Sequence, residues 1–271
     1  MNLSPLILVT NDDGIASPGL RAAVLAVHDL GEVWVVAPRR QQSGMARSLP
    51  DSDGIAHEAQ LDLDGARVRA FALDTSPAGA VLYALAAILP RLPDLAISGI
   101  NYGENLGSGV TTSGTIGAAL EAASWGVPSL AISLETETHY HFSHSTDIDF
   151  RMAAQWVRRL AQRLLGCPLP PGVDIIKVDV PSDAAPDTPG RLTRVSRQRY
   201  FCPTRPTQAD GLSIGPLGYE VVVDRASLEP DSDIAAMVVD RVVSISPLTI
   251  DLTAHAEPPA LHELLGLDHS R

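Results

Sequence analysis

The sequence predicts an α/β fold, a doubly wound and mostly parallel sheet with helices on both faces. Strand-length apolar runs alternate with helix-length runs from residue 6 to residue 133, the βαβ rhythm that builds such sheets. The chain has 271 residues, of which 45% are hydrophobic, enough for one sizeable core. Two adjacent carboxylates, Asp12 and Asp13, directly follow the apolar run Leu6-Ile7-Leu8-Val9. In an open α/β sheet, ligands bind in the crevice outside the carboxyl ends of the strands.

The elements follow in order. Residues 6–10 read as a buried strand. Residues 18–30 read as a helix with Ser17 as its N-cap and Pro18 at its first position. A second strand over 33–37 ends at Pro38. Residues 60–71 read as a hairpin around Asp64-Gly65, the strongest short turn signal. An alanine- and leucine-rich helix covers 77–89, and a short strand covers 95–98. The helix over 113–125 stops at Gly126-Val127-Pro128, and a strand follows over 129–133. A long amphipathic helix is predicted over 150–165 and a strand over 174–180. Residues 181–233 are rich in Pro, Gly and Asp, with β-like runs at 191–200 and 220–223, and suggest an excursion from the core. A strand returns over 242–246, and 259–265 reads as a short helix. The chain is thus expected to be one domain, 1–271. Its core is 1–181 with about 234–255, its β-rich arm is about 182–233, and its tail is about 256–271.

Acidic residues outnumber basic ones, 32 to 20, for a net charge of −12. That argues against a nucleic-acid or anionic-membrane partner, since both need a basic face. Lys177 is the only lysine. The two cysteines, Cys167 and Cys202, fit no disulfide framework or zinc spacing and read as reduced thiols. With no secretory signal and no apolar run near the ~20 residues of a membrane span, the expected location is cytoplasmic.

Four motifs carry chemistry. Side-by-side carboxylates are costly unless neutralised, and a divalent cation with oxygen ligands neutralises them. Thr10-Asn11-Asp12-Asp13-Gly14 therefore suggests a metal-dependent enzyme. The run from Ser98 to Gly109 is dense in Gly and Asn. By itself it reads first as a surface loop, but it follows a strand on the edge expected for Asp12, and Asn101 offers a neutral oxygen ligand. Thr111-Thr112-Ser113-Gly114-Thr115 opens a helix; capping by Ser113 and anion binding at its free N–H groups are compatible. Pro38-Arg39-Arg40-Gln41-Gln42-Ser43-Gly44 offers the Ser43 hydroxyl to a metal and two arginines to an anionic substrate, although arginines after a strand are usually solvated. No dinucleotide or P-loop fingerprint is present. The three histidines His139, His141 and His144 read as a polar loop or a lid sooner than as a zinc site.

Together these residues resemble the SurE survival-protein family of metal-dependent nucleotide phosphatases. The resemblance rests on Val9-Thr10-Asn11-Asp12-Asp13-Gly14-Ile15 with Pro18-Gly19, on Ala37-Pro38 with Gln42-Ser43-Gly44, and on the run from Pro93 to Gly107. It continues through Ser113-Gly114-Thr115-Ile116-Gly117-Ala118-Ala119 and Gly126-Val127-Pro128-Ser129. It is dense over residues 6–133 and thinner later, at Thr193-Arg194, Asp231-Ser232-Asp233 and Ser244 to Leu248.

The resemblance implies a Rossmann-like core, a projecting β-hairpin arm exchanged between subunits, and a homodimer or homotetramer. It implies one divalent metal per subunit, magnesium or manganese, with Asp12, Asp13, Ser43 and Asn101 as ligands. The implied activity is hydrolysis of nucleoside 5′- and 3′-monophosphates, with short polyphosphate as a further substrate. Ser113, Gly114 and Thr115 would then cradle the phosphate, Asn11 and Asn105 would orient phosphate or water, and Asp13 would be the candidate general base. The chain departs from the family pattern at Thr75-Ser76-Pro77, at Gly79-Ala80, in an arm lacking the usual aromatic cluster, and at Lys177 and Asp179, where asparagines are frequent. Two other classes compete: a nucleoside N-glycosidase, whose Asp-x-Asp-x-Gly-x-Asp-Asp spacing is absent, and a non-catalytic nucleotide-binding module.

Overall fold

The computed structural model describes residues 4–206, 215–253 and 264. Its strands are Leu6–Thr10 (β1), Glu32–Pro38 (β2), His57–Glu58 (β3), Arg69–Leu73 (β4), Leu95–Tyr102 (β5), Ser129–Leu134 (β6), Ile175–Val180 (β7), Gly190–Leu192 (β8), Phe201–Thr204 (β9), Gly218–Val221 (β10) and Val243–Leu248 (β11). The α-helices are Pro18–Val27 (α1), Pro77–Tyr83 (α2), Gly114–Ser124 (α3) and Arg151–Gly166 (α4). One nine-stranded sheet runs β3-β4-β2-β1-β5-β6-β7-β11-β8. Its six strands from β4 to β7 are mutually parallel. The first crossover leaves β1 toward β2 and a later one returns to β5 on the other side, so the topological switch point lies between β1 and β5.

Every residue of β1 is buried, and alternate side chains feed different layers. Ile7 and Val9 pack with Leu20 and Val24 of α1 and Val157 of α4. Leu6 and Leu8 pack with Val81 of α2 and Ala118 and Ala122 of α3. Each such aliphatic side chain contributes about 1.5–3 kcal/mol of burial, which fixes β1 as the centre of the molecule. Along α4 the buried Ala153, Val157 and Ala161 recur at four-residue spacing.

Several boundaries differ from expectation. Helix α1 stops at Val27, and Ser17 caps it by backbone position only: its Oγ is buried without a partner. The predicted helix over 77–89 is α2 followed by a π-helical turn, Ala84–Ile88. Asp64 and Gly65 form the expected turn, both at positive φ, with Ala66 N donating to Leu63 O at 3.0 Å. The flanking hairpin shrinks to the two pairs His57↔Ala72 and Glu58↔Phe71, because β4 instead joins β2 over five parallel pairs and buries Ala70, Ala72 and Leu73. Strand β5 runs on to Tyr102 through an irregularity between Ser98 and Asn101. Within the stretch expected to leave the core, β8 pairs with β11 in the main sheet, while β9 and β10 form a separate antiparallel pair. Strand β11 lies antiparallel to β7. The helix predicted over 259–265 lies outside the described residues apart from Leu264. Among the described residues no helix is long and apolar enough to cross a membrane.

Candidate metal and phosphate site

The site is assembled where β1 and β5 end. Gly14, at φ +95°, turns the chain after Asp13, and a Cβ there would lie 3.0 Å from the backbone carbon of Arg40. The glycine lets the 38–42 loop seat on the turn, with Ile15 N donating to Pro38 O at 2.8 Å and Gln42 N to Asp12 O at 2.7 Å. Asn11 is fully buried; its amide oxygen accepts from Gly14 N and its amide nitrogen donates to Gly14 O. Asn11 thus braces the turn that carries the carboxylates.

Asp12 is 4% exposed and Asp13 1%. The Thr115 hydroxyl donates to Asp12 Oδ1 at 2.6 Å. Asp13 Oδ1 accepts from Gln41 Nε2 at 3.2 Å, and Oδ2 accepts from Tyr102 N at 3.2 Å. Burial pushes the Asp12 carboxyl above its ordinary range, and burial together with the charge of Asp12 pushes Asp13 well above it. Neither carboxylate is in a salt bridge with an arginine or lysine among the described residues. Two buried carboxylates without a cationic partner call for a positive charge. Asn101 donates through Nδ2 to Gly103 O at 2.6 Å, which leaves its amide oxygen for a ligand. With the Ser43 hydroxyl nearby on the same cavity wall, the donor set is all oxygen and fits a hard divalent cation.

A cavity of about 690 Å³ opens here, lined by Asp12, Ser43, Asn101, Asn105 and Ser113. Asp13, Asn11, Gly114 and Thr115 stand behind that wall. Ser113 caps α3, its Oγ accepting from Ile116 N at 3.2 Å. Gly114 is forced by proximity, since a Cβ would lie 2.7 Å from the Asp12 Cβ. The start of α3 thereby approaches Asp12 closely, and both the hydroxyl and the backbone N–H of Thr115 serve its carboxylate. Asn105 Nδ2 donates to Ser133 Oγ at 2.8 Å. Arg39 pairs with Asp74 at 2.9 Å, and neither it nor Arg40 lines the cavity.

The three histidines do not converge. His139 faces Glu137, and His144 Nε2 lies 2.8 Å from Asp13 O. His141 Nδ1 lies 2.9 Å from the Tyr219 hydroxyl and Nε2 lies 3.3 Å from Thr136 O. Their loop contributes His141 and Phe142 to the cavity wall, with His141 packed against Phe201 and Tyr219. The adjacent Tyr200 and Phe201 and the distant Tyr219 meet edge to face.

Sequence reading passed over Gln41, which ties Asp13, Ser43 and His141 O together from within a motif it had marked. It also passed over a buried charged cluster beneath the cavity. Lys177 Nζ lies 2.5 Å from Asp179 Oδ2 and 3.1 Å from Asp233 Oδ2, all three side chains at 0% exposure. The available signal was a lone lysine two residues from an aspartate on a strand otherwise made of Ile and Val.

The family model described as Survival protein SurE matches residues 7–201. The chain belongs to the SurE family. A Thermococcus gammatolerans protein named 5′-nucleotidase SurE is 42% identical over 261 residues, covering 96% of this chain and 95% of its own. An Archaeoglobus fulgidus protein of the same name is 41% identical over 256 residues, covering 93% and 94%. The crystal structure of the SurE protein from Aquifex aeolicus superposes with a TM-score of 0.76 at 29% identity, covering 96% of this chain and all of that one. Family membership and the α/β Rossmann-like fold implied by the motifs both hold.

Proposed function

We propose that this SurE protein is a divalent-metal-dependent phosphomonoesterase that hydrolyses nucleoside 5′- and 3′-monophosphates to nucleoside and phosphate. The observation that carries the reading is the buried Asp12–Asp13 pair, without a cationic partner among the described residues, packed against the N-terminus of α3 at the wall of one cavity. The names of the relatives support the substrate class.

Asp12, Asp13, Asn101 and Ser43 would hold the metal, one Mg²⁺ or Mn²⁺ per subunit. A bound divalent cation would supply Lewis-acid polarisation of the phosphoryl oxygen and a more acidic water. The chain's own groups do the rest. The Ser113 hydroxyl on the cavity wall, backed by the N–H groups of Gly114 and Thr115, of which the latter now serves Asp12, would meet the phosphate oxygens and the charge that develops on them. The Asn105 amide nitrogen spends one of its two N–H donors on Ser133, which leaves its second N–H for a phosphate oxygen and its carbonyl oxygen for water. Each Asp13 oxygen accepts one hydrogen bond and keeps a second lone pair for the metal; a metal-bound carboxylate is a poor base, so we assign Asp13 as ligand ahead of base. Loop residues His141 and Phe142 shield the cavity from one side.

We further place the protein in the cytoplasm as a homodimer or homotetramer assembled through the 182–233 arm, with short polyphosphate as a secondary substrate. Leu192, 74% exposed on edge strand β8, and Leu217, 66% exposed beside β10, support an apolar assembly surface. Light scattering gives the subunit number.

The deciding experiment is phosphate release from a panel of 5′- and 3′-nucleoside monophosphates by metal-stripped protein, with and without added Mg²⁺ or Mn²⁺. Release that requires the metal is expected. Folded protein that binds nucleotide without releasing phosphate would leave a binding module, and release of free base would leave an N-glycosidase.

A further inference from the structure

We propose that Lys177 is a positioning residue for the phosphate-handling loop, holding residues 105–107 at the cavity floor and fastening them to the segment that carries Arg199 to Phe201. The proposal rests on the phosphatase reading of the cavity for its activity readout, though not for its structural one.

An ammonium has three N–H donors, and Lys177 uses each on a different chain segment. Nζ donates to Asn105 O at 2.9 Å, to Asp179 Oδ2 and to Asp233 Oδ2. Asp179 Oδ1 in turn accepts from Asn105 N at 2.7 Å. Lys177 and Asp179 are two apart on β7 and so share a face; from there they grip both the carbonyl and the N–H of one loop residue. Asp233 extends the grip: Oδ2 accepts from Gly107 N at 3.1 Å, and Oδ1 accepts from Ser196 N at 2.9 Å and Ile234 N at 2.8 Å.

The neighbours show that this polar layer is built for. Across β6 the paired residues are Ala131 and Ser133, and across β11 they are Ser246 and Ser244, all small enough to leave the lysine room. Two carboxylates and one ammonium leave an excess negative charge, and four backbone N–H groups offset it. The loop is then stitched to the next segment, with Ser108 N donating to Gln198 O at 2.9 Å and Gly107 bridging to Arg199. A Cβ on Gly107 would lie 2.3 Å from Gln198 O, so the two backbones are as close as they can come. Asn105 and Ser108 on one side and Arg199 and Phe201 on the other line the same cavity. Lys177 reaches no cavity atom itself; it acts through the loop.

The test compares Lys177→Met, the double variant Lys177→Asn with Asp179→Asn, and Val157→Ala as a destabilised control in the α4 core. The readouts are kcat and KM for 5′-AMP, inhibition by inorganic phosphate, and amide hydrogen exchange, all in the full chain. Lys177→Met is expected to lower kcat about a hundredfold, to weaken phosphate inhibition, and to speed exchange selectively over residues 101–112 and 194–200. The double variant, whose amides can both donate to and accept from Asn105, is expected to recover most of the loss. Val157→Ala is expected to lower Tm without these effects. Wild-type kcat and exchange in a folded Lys177→Met, an equal loss in Val157→Ala, or a folded double variant with no recovery would each overturn the assignment. If Lys177→Met does not fold, the double variant decides alone. If the wild-type protein releases no phosphate with any metal, the phosphatase reading fails separately; unchanged exchange over 101–112 in Lys177→Met would then still sink the positioning role.

Discussion

Asp12 and Asp13 are adjacent in sequence yet held by different machinery. Thr115 reaches Asp12 from the start of α3, whereas Gln41 and Tyr102 N hold Asp13 from the other side. Groups that orient a metal ligand are worth roughly 10–100-fold in metal affinity or activity. Thr115→Val, which keeps the shape and removes the donor, should therefore weaken metal affinity by about that factor, measured by activity against free Mn²⁺ at fixed substrate. Glu104 offers a prediction independent of the metal. It is 4% exposed, and burial pushes its carboxyl up from 4.5 to about 7, against smaller opposing hydrogen bonds from the backbone and Tyr200. An acid that holds its proton more tightly when folded stabilises the fold while protonated. The contribution is complete below pH 4.5 and is lost as pH rises to about 7. Glu104→Gln should match the wild type near pH 4 and exceed its stability near pH 8 by about 3 kcal/mol. Urea titrations at the two pH values check it; equal pH dependence in both proteins would refute it.

At the scale of elements, helix α1 meets strand β5 through Gly19. A Cβ there would lie 2.1 Å from Ile100 O and 3.2 Å from the Phe150 ring. The helix approaches the backbone that carries Asn101, so its packing sets the position of a proposed ligand. Gly19→Ala must push α1 outward; overpacking of this kind costs about 1–3 kcal/mol. Chemical denaturation should show that loss, and kcat should fall along with it because Asn101 moves. A variant with full stability and full activity would mean that the contact is softer than the geometry indicates. The same scale explains the misread hairpin. The turn residues Asp64 and Gly65 did what local conformational preference asks of them, but the strand after them gained more by burying Ala70, Ala72 and Leu73 beside β2.

Over the whole molecule, the sheet joins distant parts of the chain at one crevice. The β1 end supplies the carboxylates, the β5 end the asparagines, α3 its N-terminus, and His141, Phe142, Phe201 and Tyr219 part of the outer walls. A ligand that binds only this assembled state stabilises it by mass action, about 2.7 kcal/mol at a hundredfold excess over Kd. Saturating Mn²⁺ should accordingly raise Tm by about 5 °C. Asp12→Asn should abolish the shift while leaving the circular dichroism of the metal-free protein unchanged. A metal-independent Tm in the wild type would remove the metal from the reading.

The sequence by itself determined the parallel α/β core and the four motifs, because both are local. Strand-length apolar runs, caps such as Ser113 and turns such as Asp64-Gly65 act over a few residues, and a carboxylate pair after a strand keeps its meaning wherever the strand is placed. Only the tertiary structure decided which polar groups face the cavity and which face one another. Asn11 turned back onto Gly14 and Thr115 onto Asp12, since a buried polar atom takes whatever partner the packing brings within 3 Å or so. The Lys177 cluster lay further beyond sequence reading: its partners at 105, 107, 196 and 233 are joined by sheet order alone, and no spacing along the chain encodes that.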